Sequence, residues 1–319
     1  MKKGQGFNPT EIIFSVTDAC NLHCPHCFVS RNAKKLSPEK AISFLKTCKD
    51  SSIDTIGFSG GEPFLNLDFI LKISKYASQN DFMFDRIMTN GVWWMTETEL
   101  RDTLKKLYDS GYDGKIGLSY DSFHNQNYSK ILTFINSVYK IWNNYSMIEI
   151  QSVINDNPDD KIQDLENFEQ LSEDLDCAVS LNLDNKTGKG TILLENENIF
   201  LPIYREIQSF TAEDPRTWKS KKWFKDDYCQ GPGQILFVHP NESIAPCCGF
   251  ANENTALQIG NINQPLEQVL QKAESNKMVN ICYTQGLFTQ VKACKKNGTK
   301  IPGKTMDICA FCDFICKQN

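Results

Sequence analysis

The stretch Phe14-Ser-Val-Thr-Asp-Ala-Cys20-Asn-Leu-His-Cys24-Pro-His-Cys27-Phe-Val-Ser-Arg31 sets three cysteines at C-x3-C-x2-C spacing, directly after an apolar run. Three thiolates on one short loop can hold three irons of a [4Fe–4S] cube, leaving the fourth iron open to bind and reduce another molecule. A zinc site and incidental core cysteines are the alternatives. Zinc motifs usually come as two C-x2-C-like pairs, so a lone triplet of this spacing argues against structural zinc.

Outward from the loop, residues 11–17 read as a strand that delivers it. Ser37-Pro38 opens a helix, with Ser as N-cap and Pro at the first position, and Cys48 falls on its apolar face as packed core. A strand over 55–59 runs into Gly60-Gly61-Glu62-Pro63, followed by a helix over 67–78 and a strand over 85–88 that ends in Thr89-Asn90-Gly91. Thr96 and Glu99 form a capping box before the next helix. Strands over 115–120, 147–154 and 178–183 follow, separated by helices carrying Ile131, Ile135, Val138 and Trp142, then Ile162, Leu165, Phe168, Leu171 and Leu175.

Six strands alternating with helices at roughly 30-residue intervals imply right-handed βαβ units around a parallel sheet. An open doubly wound sheet and a partial barrel both fit. In either, chemistry collects at the C-terminal strand ends. The cysteine loop, Gly60–Pro63, Asn90, Ser119 and Asp121 all fall there. From about residue 184 the pattern blurs into a connector with Trp218, Trp223 and Phe224, and 228–319 is a tail holding eight of the thirteen cysteines.

With 319 residues, 40% of them apolar and 23% charged, the chain is a globular protein with a sizeable core. A net charge of −5 gives no basic footprint for nucleic acid or an anionic membrane. The chain has no apolar run long enough for a membrane span, and Met-Lys-Lys-Gly-Gln-Gly at its start is followed by no signal-peptide core. Without a secretory signal, thirteen cysteines point to metal binding or catalysis in the cytoplasm rather than disulfides. Cys177, Cys282 and Cys294 have no motif around them and read as structural. Gly60 and Gly61 remove two Cβ atoms, so a ligand can touch backbone there and free carbonyls can accept from an ammonium group.

The cysteine triplet after the first strand, with the His26 ring before the third cysteine, resembles the radical S-adenosylmethionine (SAM) superfamily. The resemblance implies an α/β fold with a partial (β/α)6 barrel over 1–190, a connector over 191–227 and a small C-terminal domain over 228–319. It also implies that SAM chelates the open iron and is reductively cleaved to a 5′-deoxyadenosyl radical that abstracts hydrogen from substrate. Ser59-Gly-Gly-Glu-Pro63 is similar to the family's Gly-Gly-Glu element, which holds the SAM amino group, and so implicates Gly60, Gly61, Glu62 and Pro63. His26 and Asn90 are implicated as cofactor contacts, and Ser119 and Gln151 resemble positions that reach the SAM carboxylate and ribose.

In the tail, Tyr228-Cys229-Gln-Gly-Pro-Gly, Val238-His-Pro-Asn-Glu-Ser-Ile-Ala-Pro-Cys247-Cys248-Gly, Gly260-Asn261-Ile262 and Cys309-Ala-Phe-Cys312 resemble the SPASM/twitch extension. A hairpin signal lies between 234 and 247. The resemblance implies an auxiliary [4Fe–4S] cluster on Cys229, Cys247, Cys309 and Cys312, with Cys316 a competing ligand and zinc the alternative metal. Asn90-Gly-Val-Trp, Ser119-Tyr-Asp-Ser-Phe-His124 and Pro-Cys-Cys-Gly resemble the epipeptide-type peptide epimerases. That implies a ribosomally made precursor peptide as partner and a low-potential electron donor such as flavodoxin or ferredoxin. It also casts Cys248 as the thiol that returns hydrogen to the inverted residue. Gln234 stands where those enzymes carry an acidic residue. A winged-helix peptide-recognition domain of some 80 residues finds no room here, so the substrate is expected either to bind in the barrel mouth directly or to be a small molecule. Thioether cross-linking or oxidation of a peptide, radical chemistry on a small molecule, and a non-catalytic metal scaffold are the competing readings.

Overall fold

The structure is a computed structural model and describes residues 4–229 and 234–318. The start of the chain (1–3) and the 230–233 part of the first tail motif lie outside the described residues. In chain order the elements are β1 (Glu11–Ser15), α1 (Pro38–Thr47), β2 (Thr55–Ser59), α2 (Leu67–Ser78), β3 (Met83–Thr89), α3 (Glu97–Asp109), β4 (Lys115–Ser119), α4 (Tyr128–Trp142), β5 (Ile148–Ile154) and α5 (Pro158–Asp174). Then come β6 (Ala178–Leu183), β7 (Gly190–Glu195), β8 (Phe200–Ile207), β9 (Ile235–Val238), β10 (Ser243–Ala245), β11 (Gly260–Asn261), α6 (Leu266–Ser275), α7 (Lys277–Asn280), α8 (Phe288–Asn297) and α9 (Ile308–Cys316). Among the described residues no helix is long and apolar enough to cross a membrane.

The chain divides into two compact units, one built from Ser15–Pro38 and Ile56–Gln208, the other from Met1–Phe14, Glu39–Thr55 and Ser209–Asn319. These units cut across the expected boundaries at 190 and 227. In the first, the strand order is β2-β3-β4-β5-β8-β7-β6, with β3, β4, β5 and β8 parallel. The apolar residues of these strands, Ile87, Ile116, Leu118, Ile148 and Ile150, are fully buried, as strands packed beneath crossover helices require. Register lines up Met88 with Gly117, Ser119 with Gln151, and Gln151 with Tyr204.

The expected sixth parallel strand, 178–183, is instead an antiparallel edge: β6 pairs with β7, and β7 with β8. The parallel position next to β5 belongs to β8, which lies inside the expected connector. Pro202 within β8 and the polar Glu195–Asn198 turn before it hide that strand from periodicity. α5 also differs. Ile162 and Leu165 are 56% and 41% exposed, and the buried face is carried by Asp164, Phe168 and Leu171. Half of the expected capping box at α3 forms: the Glu99 amide donates to Thr96 Oγ1 at 3.2 Å, while Glu99 Oε2 accepts from the amide of Met95, one residue before the cap, at 2.8 Å. Cys48 is buried on α1 as expected, its thiol 3.5 Å from the Phe44 carbonyl.

The second unit orders its strands β11-β10-β9-β1, with β1 and β9 parallel. The expected hairpin is present as β9 and β10, which pair antiparallel through Phe237–Ala245 and Val238–Ile244 and deliver Cys247 and Cys248 just beyond β10. α9 starts on Asp307, whose carboxylate accepts from the amides of Cys309 and Ala310 at 2.8 and 3.2 Å. Trp223, Phe224, Phe288 and Phe311 pack as a ring cluster with centroids 5.4–6.3 Å apart and seat this helix in an apolar core.

Candidate active site

The cysteine loop is held at its neck by its own backbone. Thr17 Oγ1 and the Asp18 amide both donate to the Lys34 carbonyl, at 2.8 and 3.0 Å. From the end of β2, the Gly61 amide donates to the Thr17 carbonyl at 2.7 Å and the Glu62 amide to the Ala19 carbonyl at 2.8 Å. Gly60 has φ of +130°, and a Cβ there would lie 2.6 Å from the Thr17 carbonyl oxygen; one at Gly61 would lie 2.2 Å from that of Ala19. The sequence reading took both glycines as openings for a ligand. Each lines the cavity described next, but the space a Cβ needs is filled by the cysteine loop itself.

Cys20, Cys24 and Cys27 share one cavity of about 200 Å³. Of the residues expected to contact the cofactor, His26, Gly60, Gly61, Asn90 and Ser119 also line it. Glu62, Pro63 and Gln151 do not. Glu62 is fully buried beneath the cavity: its carboxylate accepts from the Phe64 amide (3.2 Å), Thr89 Oγ1 (2.9 Å) and the Asn90 amide (2.8 Å). Burial pushes that carboxyl up to about 7 against the pull of the three bonds. Pro63 opens the short turn Pro63–Asn66. Gln151 Nε2 donates to Glu149 at 2.9 Å, and Glu149 in turn pairs with Arg86.

Asn90 bridges strand end and loop. Its side chain donates to Asn21 Oδ1 at 2.8 Å and approaches Cys20 Sγ at 3.8 Å. Burial pushes the Cys20 thiol up while the Leu22 amide, 3.4 Å away, pulls it down. Cys24 is pushed up to about 11, by burial first and then by its neighbours Cys27 and Cys20. Among the described residues no three His, Cys, Asp or Glu side chains stand ready as a single-ion site; what the loop thiols share is a cavity wall. Three thiols on one wall suit a cluster with an open iron. The buried His26 Nδ1 has no hydrogen-bond partner among the described residues, and a nucleoside edge would supply one. The residues present therefore fit both groups.

Sequence reasoning left three contributors unassigned. His124 lines the cavity, its ring 5.0 Å edge-on from that of His26. Its Nδ1 sits 2.7 Å from Asp121 Oδ1, and Asp121 Oδ2 accepts from the Val153 amide at 2.8 Å, so the imidazole is braced from behind. The Asp-x-x-His spacing was the available signal. Gln126 Nε2 donates to the carbonyls of both Asn90 and Ser119, at 2.7 and 2.6 Å, tying the ends of β3 and β4. No local pattern marks a lone glutamine for that role.

In the second unit, Cys229, Cys247, Cys309 and Cys312 line one cavity. Cys309 and Cys312 stand one turn apart on α9, and Gly249 lets Cys309 close in: a Cβ there would be 3.1 Å from its Sγ. Cys282, read from the sequence as structural, lines the same cavity. Cys316, one turn after Cys312 on α9, does not line the cavity, and neither does Cys248. Cys248 is half-buried, and burial, with Glu11 and Cys309 adding to it, pushes its thiol up to about 12. Gln234 acts as a backbone clip, Nε2 donating to the Gly6 carbonyl at 2.9 Å while Oε1 accepts from the Asn8 amide.

Residues 14–149 match the model of the Radical SAM superfamily. The "Putative peptide biosynthesis protein YydG" of Bacillus subtilis (strain 168) is 22% identical over 325 residues, covering 97% of this chain and 92% of its own. The "Probable GTP 3′,8-cyclase" of Methanocaldococcus jannaschii is 28% identical over 138 residues, covering 42% of this chain and 44% of its own. Among solved structures, "Native anSMEcpe with bound AdoMet and Cp18Cys peptide" superposes with a TM-score of 0.53 at 17% identity, over 85% of this chain and 83% of that one, and so shares the fold. The chain carries a radical SAM domain.

Proposed function

We propose that this radical SAM enzyme inverts L-residues of a ribosomally made peptide, with Cys248 as the thiol that returns hydrogen to the α-carbon. The observation that carries the proposal is the position of Cys248. It directly follows Cys247, a wall residue of the cysteine-lined cavity, yet stays outside that lining, so its S–H is left without ligand duty. A full-length relative named for peptide biosynthesis and a fold neighbour holding a peptide support the substrate class.

In this reading Cys20, Cys24 and Cys27 hold the SAM-binding cluster, while Cys229, Cys247, Cys309 and Cys312 hold an auxiliary [4Fe–4S] cluster. When bound, cluster and SAM supply a 5′-deoxyadenosyl radical that abstracts hydrogen from substrate. His26 and Ser119 orient the cofactor from the cavity wall, and Asn90 links that wall to the cysteine loop. Glu62 acts one layer back, its amide fixing the loop at the Ala19 carbonyl, with Pro63 opening the turn behind it; Gln151 joins Glu149 and, through it, Arg86.

The hydrogen balance closes on the protein. One hydrogen atom leaves the peptide α-carbon and one is returned from the Cys248 S–H on the other face. The sulfur radical left behind takes up one electron and one proton, the electron coming from a low-potential donor such as flavodoxin or ferredoxin. A free-thiol enzyme of this kind belongs in the cytoplasm.

The test is turnover in D2O on a short peptide, to be sought first in the reading frames neighbouring the gene. The product should carry one solvent deuterium at a D-residue, with no other change of mass. Cys248→Ala should still cleave SAM but release no inverted residue. Normal inversion by the Ala variant sinks the assignment, and a product of lowered mass turns the reading towards cross-linking or oxidation.

A further inference from the structure

Cys282 is one of the three thiols, with Cys177 and Cys294, that motif reading leaves over. Its Sγ lies 3.6 Å from that of Cys312, and the two residues are only 4% and 8% exposed. The π-helical turn Ile281–Gln285 carries it, and its carbonyl accepts from the Cys229 amide at 3.0 Å. The next residue is pinned as well, Tyr283 Oη donating to the Pro246 carbonyl at 2.7 Å. Isolated π turns inside helical segments are uncommon and cluster at functional sites. This one places a fifth thiol in a wall that already holds four.

A cube has four irons, so four thiolates complete its protein ligation and a fifth keeps its proton. The rest of the wall near Cys282 is apolar, formed by Pro246, Ala251, Leu257, Leu287 and Ile308. An S–H buried there has little to donate to except sulfur, and an iron-bound thiolate accepts better than a neutral thiol. We propose that Cys282 is a hydrogen-bond donor to the Cys312 sulfur and thereby tunes the reduction potential of the tail cluster. Cys316 stands one turn after Cys312 on α9 and outside the cavity wall. The inference rests on the auxiliary-cluster reading of the tail. Donors to cluster sulfurs offset the charge added on reduction, so they move the potential upward.

The test uses full-length protein with Cys20, Cys24 and Cys27 replaced by Ala, so that only tail iron remains. Iron is counted after anaerobic reconstitution, and the potential is titrated by electron paramagnetic resonance. The parent should hold about four irons. Cys282→Ala should keep them and titrate at a more negative potential, with Cys282→Ser between the two because its hydroxyl still donates. Cys294→Ala, a buried thiol outside the cavity, should leave the potential unchanged. An unchanged potential in Cys282→Ala overturns the proposal. Loss of iron in Cys282→Ala, with the parent still loaded, overturns it by making Cys282 a ligand. A parent without iron removes the auxiliary cluster itself, and the role of Cys282 with it.

Discussion

The Gly61 amide donates to the Thr17 carbonyl at 2.7 Å, and the Gly61 Cα faces the Ala19 carbonyl so closely that a Cβ would stand 2.2 Å from its oxygen. The end of β2 is thus the seat of the cysteine loop. Its glycines let two backbones meet, and the cofactor site depends on that contact before any ligand arrives.

Gly61→Ala should therefore unseat the loop. Overpacking of this kind costs about 1–3 kcal/mol, and more where the facing atom is backbone that cannot swing away. Iron on Cys20, Cys24 and Cys27 should be lost while tail iron is kept, as read by iron assay and visible absorption. A variant with full iron would show that the two backbones can part without harm.

How much of this was legible in advance follows from where the information lies. The helices up to α4 show their periodicity, because each buries one face of an amphipathic run, and the strands between them show as short apolar runs. β8 does not: it starts beside Pro202 and takes its place in the sheet from pairing with β5 across the long α5 segment, which no window of sequence contains. The loop cysteines announce themselves by spacing. Cys282 has no spacing partner and reaches the cavity only through the turn that carries it. Likewise Glu62 is visible in the Gly-Gly-Glu stretch, but that its carboxylate serves Phe64, Thr89 and Asn90 is a tertiary fact.

Glu62 also gives a pH signature. Its folded pKa is raised by burial from 4.5 to about 7, so the folded protein binds this proton more tightly than the unfolded chain does. The associated stability is fully present below the unfolded value and is lost as pH rises through about 7. The difference amounts to roughly 3 kcal/mol. Anaerobic urea unfolding should show the margin of wild type over Glu62→Gln shrinking between pH 5 and 8. A margin that stays flat over that range would place the carboxyl in its ionised form throughout.

Gln126→Leu removes the donor shared by the carbonyls of Asn90 and Ser119. Leaving buried acceptors unpaired costs about 1–3 kcal/mol. Because both acceptors belong to residues of the cavity wall proposed to hold SAM, SAM affinity should fall roughly tenfold along with the melting temperature. Equilibrium dialysis with labelled SAM reads the first and calorimetry the second. Unaltered affinity would mean the strand ends hold their spacing without the glutamine.

The account stands most directly on one paired measurement: iron content and SAM cleavage in anaerobically reconstituted protein under a strong reductant. Wild type should hold about eight irons and release 5′-deoxyadenosine slowly without substrate, and replacing Cys20, Cys24 and Cys27 by Ala should leave about four irons and no cleavage. Wild type that carries its full iron yet yields no 5′-deoxyadenosine would contradict the account at its centre.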